Sequence, residues 1–471
     1  MKRRDFLTLS SVTALWLLTG CGMKNNSSSS GNSNAFSREL PIPKLLKPTD
    51  INGVKNYNLT VQDGKHQFFE GIQSNTMGIN SSYLGDTILI QNGDSVSLNF
   101  TNKLSVDTTM HSHGMHVPSS MDGTPHQTIK PNTTWSAKYT VTQKASTSWY
   151  HSHAMHKTAE QVYMGLAGII IVEDSESKAL DLPKTYGEDD IPLVLQDRVF
   201  TNNQINYSPS QMEKMRGYIG DTFIVNGAIE PTFYSPNKEI RFRILNGSNA
   251  SIYNLGFSDG REFKQIATDG AFLEKPVTLR KVLLSPAERA EIVVDLTNDL
   301  NKTLTLTDAN TNKVFLKINV NKQATTTTSL PSTLTTLTKF SSSQSVKNRT
   351  FTLDGQRGEF SINGKSMNMS VINESVPLGD IEIWEVKNSM RIDHNFHIHA
   401  THFMLLERNG SSANILPNEK GYKDVALVPA NGSIKFIVKM IDYTDNTIPY
   451  MYHCHFLEHE DAGMMGQFVV V

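Results

Sequence analysis

The residues near the end of the chain with the most chemical potential are Tyr452-His453-Cys454-His455, followed by His459 and Met464, an H-C-H-x3-H-x4-M pattern. Two imidazoles, a thiolate and a weak thioether are the donors of a blue-copper electron-transfer site. If residues 452–455 form a strand, successive side chains point to opposite faces. Cys454 then faces one way and His453 and His455 the other. One strand could thus hold a mononuclear copper on one face and part of a second cluster on the other, a few bonds apart. That is wiring for passing electrons singly into a multi-electron centre.

The remaining histidines fit this reading. The chain has 15, and none lies between Lys157 and Asp393. They gather as His111-Ser-His113, His151-Ser-His153, His394-x2-His397-x-His399 and the terminal cluster, with His66, His116, His126, His156 and His402 outside. An H-x-H on a strand puts two imidazoles on one face, ready to share or bridge metal ions. A lone histidine is more often a core or surface residue than a ligand. Four clusters, one of them around the only cysteine of the mature region, are not scattered residues.

The motifs HSHGMH, WYHSH, HNFHIH and HCHFLEHEDAGMM occur in that order, and over residues 53–471 the chain resembles the multicopper oxidases. Within them it is most similar to the bacterial cuprous-oxidase and laccase-like branch. The resemblance implies four coppers per chain: one type 1, one type 2 and two type 3. Carried over by position, type 1 falls to His394, Cys454, His459 and axial Met464. Type 2 falls to His111 and His397, and type 3 to His113, His151, His153, His399, His453 and His455. In the resembling family, carboxylates at the positions of Asp122 and Glu460 serve the proton path. Either could instead be a solvated surface acid. Met390 and Asp393, just before His394, could receive Cu(I), a soft thioether beside a carboxylate. They could equally be a packing methionine and a turn acid.

The chain carries 44 basic and 46 acidic residues, a net charge of -2, without basic blocks, which argues against a nucleic-acid partner. Lys2-Arg3-Arg4-Asp5-Phe6-Leu7 opens an apolar stretch ending at Leu18, too short to span a membrane. Residues 1–20 resemble a twin-arginine signal, an ordinary Sec signal being the alternative, and Leu18-Thr19-Gly20-Cys21 resembles a lipobox. Residues 21–48 then read as a flexible tether. The expected location is the periplasm or cell envelope, with membrane contact only through a lipid on Cys21. Cys21 and Cys454 are the only cysteines, so acylation of the first leaves the second without a disulfide partner.

The elements that must position these ligands are strands. Short β-branched runs at 87–91, 95–101, 168–172, 192–196, 239–245, 291–295, 315–320, 381–386, 434–438 and 467–471 alternate with Gly, Asn and Asp turns, the pattern of β-sandwiches. Leu84-Gly85-Asp86-Thr87-Ile88 precedes a strand and the first histidine cluster, and Leu378-Gly379-Asp380-Ile381 precedes another and the third. Ile224-Val225-Asn226-Gly227 and Arg241–Asn246 look like a related unit without histidines. The expected fold is all-β: three cupredoxin-like Greek-key β-sandwich domains at 49–178, 179–324 and 349–471, with a linker at 325–348. The middle domain would be a spacer. The methionine-rich insert often found over the type 1 site in the cuprous-oxidase branch is missing, Met367 and Met369 being the only methionines nearby.

The resemblance implies an enzyme that takes electrons singly from Cu(I), with phenols or Fe(II) as further donors, and reduces O2 to water, serving copper tolerance. The alternatives are a copper-binding envelope scaffold without turnover and a copper nitrite reductase. The second typically has two domains and lacks the paired H-x-H motifs.

Overall fold

The computed structural model describes residues 38–356 and 359–471. The proposed signal, Cys21 and the first part of the tether lie outside the described residues. All ten strand runs read from the sequence coincide with strands, most of them a residue or two longer at one or both ends, the run 467–471 stopping at Val470. They build three two-sheet sandwiches, spanning Leu45 to Glu173, Asp190 to Lys322 and Lys347 to Val470.

In the first sandwich, one sheet runs in the order Leu45–Leu46, Thr87–Gln91, Ala167–Glu173, Ser146–His151, His111–His113. Thr87–Gln91 pairs in parallel with Ala167–Glu173, so long crossing connections, and not hairpins alone, close the sandwich. Ala167–Glu173 is apolar on both faces because each has a partner. Ile170 and Val172 enter the core of the sandwich, while Ile169 and Ile171 pack against Val194 and Ile224 of the middle one. The third sandwich repeats the plan, with Glu374–Val376, Met465–Val470, Asp445–His453, His394–Ile398 and Val425–Val428 in one sheet.

Register brings the histidine clusters together in pairs. His111 stands opposite His151 and His113 opposite Trp149 in the first sandwich; His397 stands opposite His453 in the third. The residue before each second cluster is a buried tyrosine, Tyr150 or Tyr452, lying over a glycine on the neighbouring strand, Gly168 or Gly466. A Cβ at Gly168 would stand 2.3 Å from Tyr150 Cζ, and one at Gly466 would stand 2.4 Å from Tyr452 Cζ. The missing side chains are what let these rings lie flat and hold the strands that end in the histidine clusters.

Two expectations need correcting. The strand Asp445–His453 stops at His453, so Cys454 and His455 lie beyond the pairing, although their side chains still go to different clusters. The internal echo is real but shifted. Ile381–Asn388 lies between a parallel and an antiparallel neighbour, as do Ser95–Asn102 and Glu239–Asn246, so its counterpart follows Asn92-Gly93-Asp94 and not Leu84-Gly85-Asp86. The linker expected at 325–348 is held down at several points. Leu334 and Leu337 are buried, Leu334 N donates to Glu274 O, and Tyr422 Oη donates to Thr338 O, strapping it to the second and third sandwiches.

Candidate metal centres

Cys454 is fully buried, and its Sγ lies 3.5 Å from His394 Nδ1 and 3.9 Å from His459 Nδ1, with the two nitrogens 3.1 Å apart. Donors held about 2.0 Å (N) and 2.3 Å (S) from one ion stand roughly 3.3–3.8 Å from each other, so this triangle has the dimensions of a metal site. Met464 is buried in the same cluster. Its backbone ties the loop back on itself: Cys454 N donates to Met464 O, and Met464 N to His459 O. Asn395 Oδ1 accepts from His455 N and faces Cys454 Sγ, fixing the turn between the strand and the helix Leu457–Asp461. Burial pushes the Cys454 thiol up to about 12, so a bound cation is what would keep it a thiolate. Burial lowers His394 to about 4, and burial with the neighbouring His394 ring holds His459 well below the usual histidine range, leaving neutral rings with lone pairs to give.

The other eight motif histidines meet where the first and third sandwiches touch. The His111 and His399 rings stack at 3.9 Å, and those of His113 and His397 at 3.7 Å. Three all-histidine groups of potential donor atoms form there, namely His111, His397 and His399; His113, His151 and His455; and His153, His399 and His453; a fourth joins His113 and His397 to Asp424. His453 Nε2 lies 3.2 Å from His153 Nε2 and 3.1 Å from His399 Nε2, again the separation of donors about one ion.

Unpartnered nitrogens mark these groups as built for a ligand. The Nε2 atoms of His111, His113, His151, His397 and His455 are buried without a hydrogen-bond partner. A buried polar atom left unpaired costs about 1–3 kcal/mol, so a concentration of them at one point needs an occupant. Burial and the neighbouring rings hold His113, His151, His397, His399 and His455 well below the usual histidine range. Neutral imidazoles in a dry junction suit a transition-metal cluster.

The nitrogens turned away from the centre are held in place. His111, His151 and His397 present Nδ1 to backbone carbonyls, those of Asp122, Ser152 and Asp424. Asp122 Oδ2 lies 2.6 Å from His399 Nδ1, and Glu460 oxygens lie 3.4 Å from His153 Nδ1 and 3.2 Å from His453 Nδ1. Carboxylates so placed fix ring orientation and tautomer. Asp122 and Glu460 are fully buried, so neither is a solvated surface acid. Burial alone would raise the Glu460 carboxyl, but the surrounding histidines bring it to about 2.

Met390 and Asp393 are divided by the structure. Met390 Sδ lies 3.2 Å from His394 Nε2, on the outward edge of the ring, whereas Asp393 Oδ1 accepts from Ala430 N and holds a turn. His459 Nε2 donates to Met215 O at the end of the helix Gln211–Arg216, which the sequence reading did not place near this site. The five outlying histidines stay out of the clusters. His66 holds Gly227 O, His126 meets Gln467, His156 holds Asp461 O, and His116 and His402 pair with each other. Asn395 and Asp424 were also missed. Asn395 lies inside the HNFHIH motif and could have been noticed there; nothing in the sequence marks Asp424.

Family models described as multicopper oxidase match residues 60–177, 189–330 and 327–471. The multicopper oxidase mco of Staphylococcus aureus is 37% identical over 446 residues, covering 93% of this chain and 94% of that protein. The cell division protein FtsP of Xenorhabdus nematophila is 33% identical, covering 92% of both chains. The crystal structure of a laccase from Pediococcus acidilactici superposes with a TM-score of 0.87 at 33% identity, covering 92% of this chain and 94% of that one. The three sandwiches are therefore cupredoxin-like domains, and the chain belongs to the multicopper oxidases, copper-dependent oxidoreductases that use O2.

Proposed function

We propose that this chain holds four coppers and oxidises Cu(I), and with it small phenols or Fe(II), while reducing O2 to water, in the cell envelope and in the service of copper tolerance. His394, Cys454, His459 and Met464 would hold the type 1 copper. His111 and His397 would hold type 2, with His113, His151 and His455 on one type 3 ion and His153, His399 and His453 on the other. When bound, these coppers supply one-electron oxidation at the first site and four-electron reduction of O2 at the other three. The observation that carries the reading is the convergence of buried imidazoles in three groups, with five Nε2 atoms lacking a hydrogen-bond partner, two of the groups including His453 or His455 to either side of Cys454.

The protein's own part is to fix geometry and carry charge. Cys454 is bonded through its backbone to His453 and His455, giving electrons a short covalent route between the sites. Asp122 and Glu460, buried against the Nδ1 atoms of His399 and His453, would pass protons toward the reduced product. A scaffold such as a division protein needs neither a complete donor set nor the Cys454 relay. A nitrite reductase needs no three-group junction.

A copper count of the purified protein, with turnover of Cu(I), Fe(II) and a dimethoxyphenol measured side by side, tests this reading. Four coppers per chain and oxidation of Cu(I) and the phenol without added Cu(II) are expected. Full copper without turnover would favour the scaffold. Met390 Sδ stands on the His394 edge, so Met390→Leu is expected to slow Cu(I) oxidation several-fold more than phenol oxidation; equal losses would reduce Met390 to a support for the ring. Asp393→Asn is expected to add little, because that carboxylate already caps Ala430 N.

The proposed lipid anchor is tested separately. Cys21→Ala should move the protein from the membrane to the soluble fraction with unchanged specific activity, since the first proposed ligand is His111. Equal membrane retention would rule out acylation there.

A further inference from the structure

The middle domain contributes none of the proposed ligands, yet Arg289, the first residue of its strand Arg289–Asp295, reaches the junction of all three sandwiches. Its side chain is buried, and all five guanidinium N–H groups find acceptors. Nε donates to Thr147 O of the first domain; Nη1 donates to Ala287 O and Nη2 to Asp269 O of the middle one. Nη1 and Nη2 also grip the two oxygens of Asp424 in the third, at 2.7 and 2.6 Å. A two-pronged Arg–carboxylate pair is the most directional ion pair available to a protein.

What Asp424 touches gives the pair its meaning. Its backbone carbonyl accepts from His397 Nδ1 at 2.8 Å, and its Oδ2 lies 3.7 Å from His113 Nδ1, so one residue sits behind both rings of a stacked pair. The first domain makes room for it. Gly114, immediately after His113, has φ +82°, and a Cβ there would stand 2.6 Å from Asp424 Oδ2 and 2.7 Å from Arg289 Nη2.

We infer that Arg289 is a positioning residue for the trinuclear copper site: its fork fixes Asp424, and Asp424 sets the orientation of His397 and the surroundings of His113. The inference rests on the ligand reading proposed above. It gives the middle domain a part in the metal chemistry beyond that of the spacer expected from the sequence. A lysine, with one point charge on a flexible stem, cannot reproduce the fork.

The test uses the full-length, copper-loaded protein as wild type, Arg289→Lys, Arg289→Met and the double variant Arg289→Met/Asp424→Asn. The double variant is included because Arg289→Met alone leaves a buried carboxylate unpaired and can fail to fold. Copper per chain, the type 2 Cu(II) paramagnetic resonance spectrum and the blue absorbance are read for each. Blue absorbance per chain should match wild type in every folded variant, because His394, Cys454 and His459 make no contact with the pair. The type 2 spectrum should shift, and copper affinity of the junction should fall about 10- to 100-fold, in Arg289→Met or, where that variant does not fold, in the double variant. Lysine should restore folding without restoring the spectrum. An unchanged type 2 spectrum and four tightly held coppers in the double variant would overturn the inference and leave the pair as a clamp between domains. A wild-type protein without a type 2 signal would instead overturn the ligand reading, and this inference with it.

Discussion

Cys454→Ser is expected to give a folded, colourless protein whose oxidase turnover falls to background. The blue colour proposed for this chain comes from charge transfer between a thiolate and Cu(II), and the structure offers one sulfur anion for it. Among the described residues Cys454 is the only cysteine, and it is fully buried. Serine is nearly isosteric, but a hard hydroxyl with no tendency to ionise is a poor ligand for copper. The same change removes the sulfur that would join the first metal to the backbone leading to His453 and His455, so both colour and turnover are lost together. Folding should survive. The new hydroxyl faces Asn395 Oδ1, 3.7 Å from the present sulfur, and a small shift gives it an acceptor, so the copper-free protein should lose no more than about 1–3 kcal/mol. Absorbance of the copper-loaded protein, together with thermal unfolding of the copper-free one, decides the matter. A variant that stayed blue would remove Cys454 from the type 1 site.

Changing His455 to alanine should separate what Cys454→Ser removes together. His455 is one residue from the sulfur, yet its ring belongs with His113 and His151 and both of its ring nitrogens lack a protein partner. Its backbone N–H, which holds Asn395 Oδ1 at 2.6 Å, survives the substitution, so the turn that shapes the Cys454 site is kept. The expected protein is blue and accepts one electron from a reducing substrate, bleaching as it does so. It then fails to regain colour in O2, with steady-state oxygen consumption near background. Stopped-flow absorbance under anaerobic and aerobic conditions reads both halves. Ordinary re-oxidation would show that His455 holds no essential metal. A loss of blue colour would show that the two sites are not separable in the way the geometry implies.

Much of this was legible in the sequence because metal ligands are a local signal. Which donor atoms exist, and how far apart along a strand they lie, is written in H-x-H and H-C-H spacing, and the alternation of strand side chains sends neighbours to different clusters whether or not the pairing continues past His453. The strands themselves were legible for the same reason, as apolar runs between turn residues. The echo was misaligned because Leu84-Gly85-Asp86 and Leu378-Gly379-Asp380 share letters without sharing neighbours. Only pairing shows that Ser95–Asn102 is the counterpart of Ile381–Asn388. The burial of Asp122 and Glu460 was equally hidden, since an acid looks solvated until the sheets close over it.

The sequence by itself determined the candidate donors, the all-β architecture and the need for the two ends of the chain to meet if His111 to His153 and His397 to His455 are to share one proposed metal cluster. Tertiary structure alone decided what surrounds those donors. It placed Asp122 behind His399, Glu460 behind His153 and His453, Met215 O on the edge of His459, and an arginine of the ligand-free domain behind His397. The physical reason is range. A ligand is recognised by its own chemistry and that of residues two to five positions away, whereas the groups that orient it come from strands up to hundreds of residues distant, brought close by the burial of three apolar cores and by no pattern in the sequence.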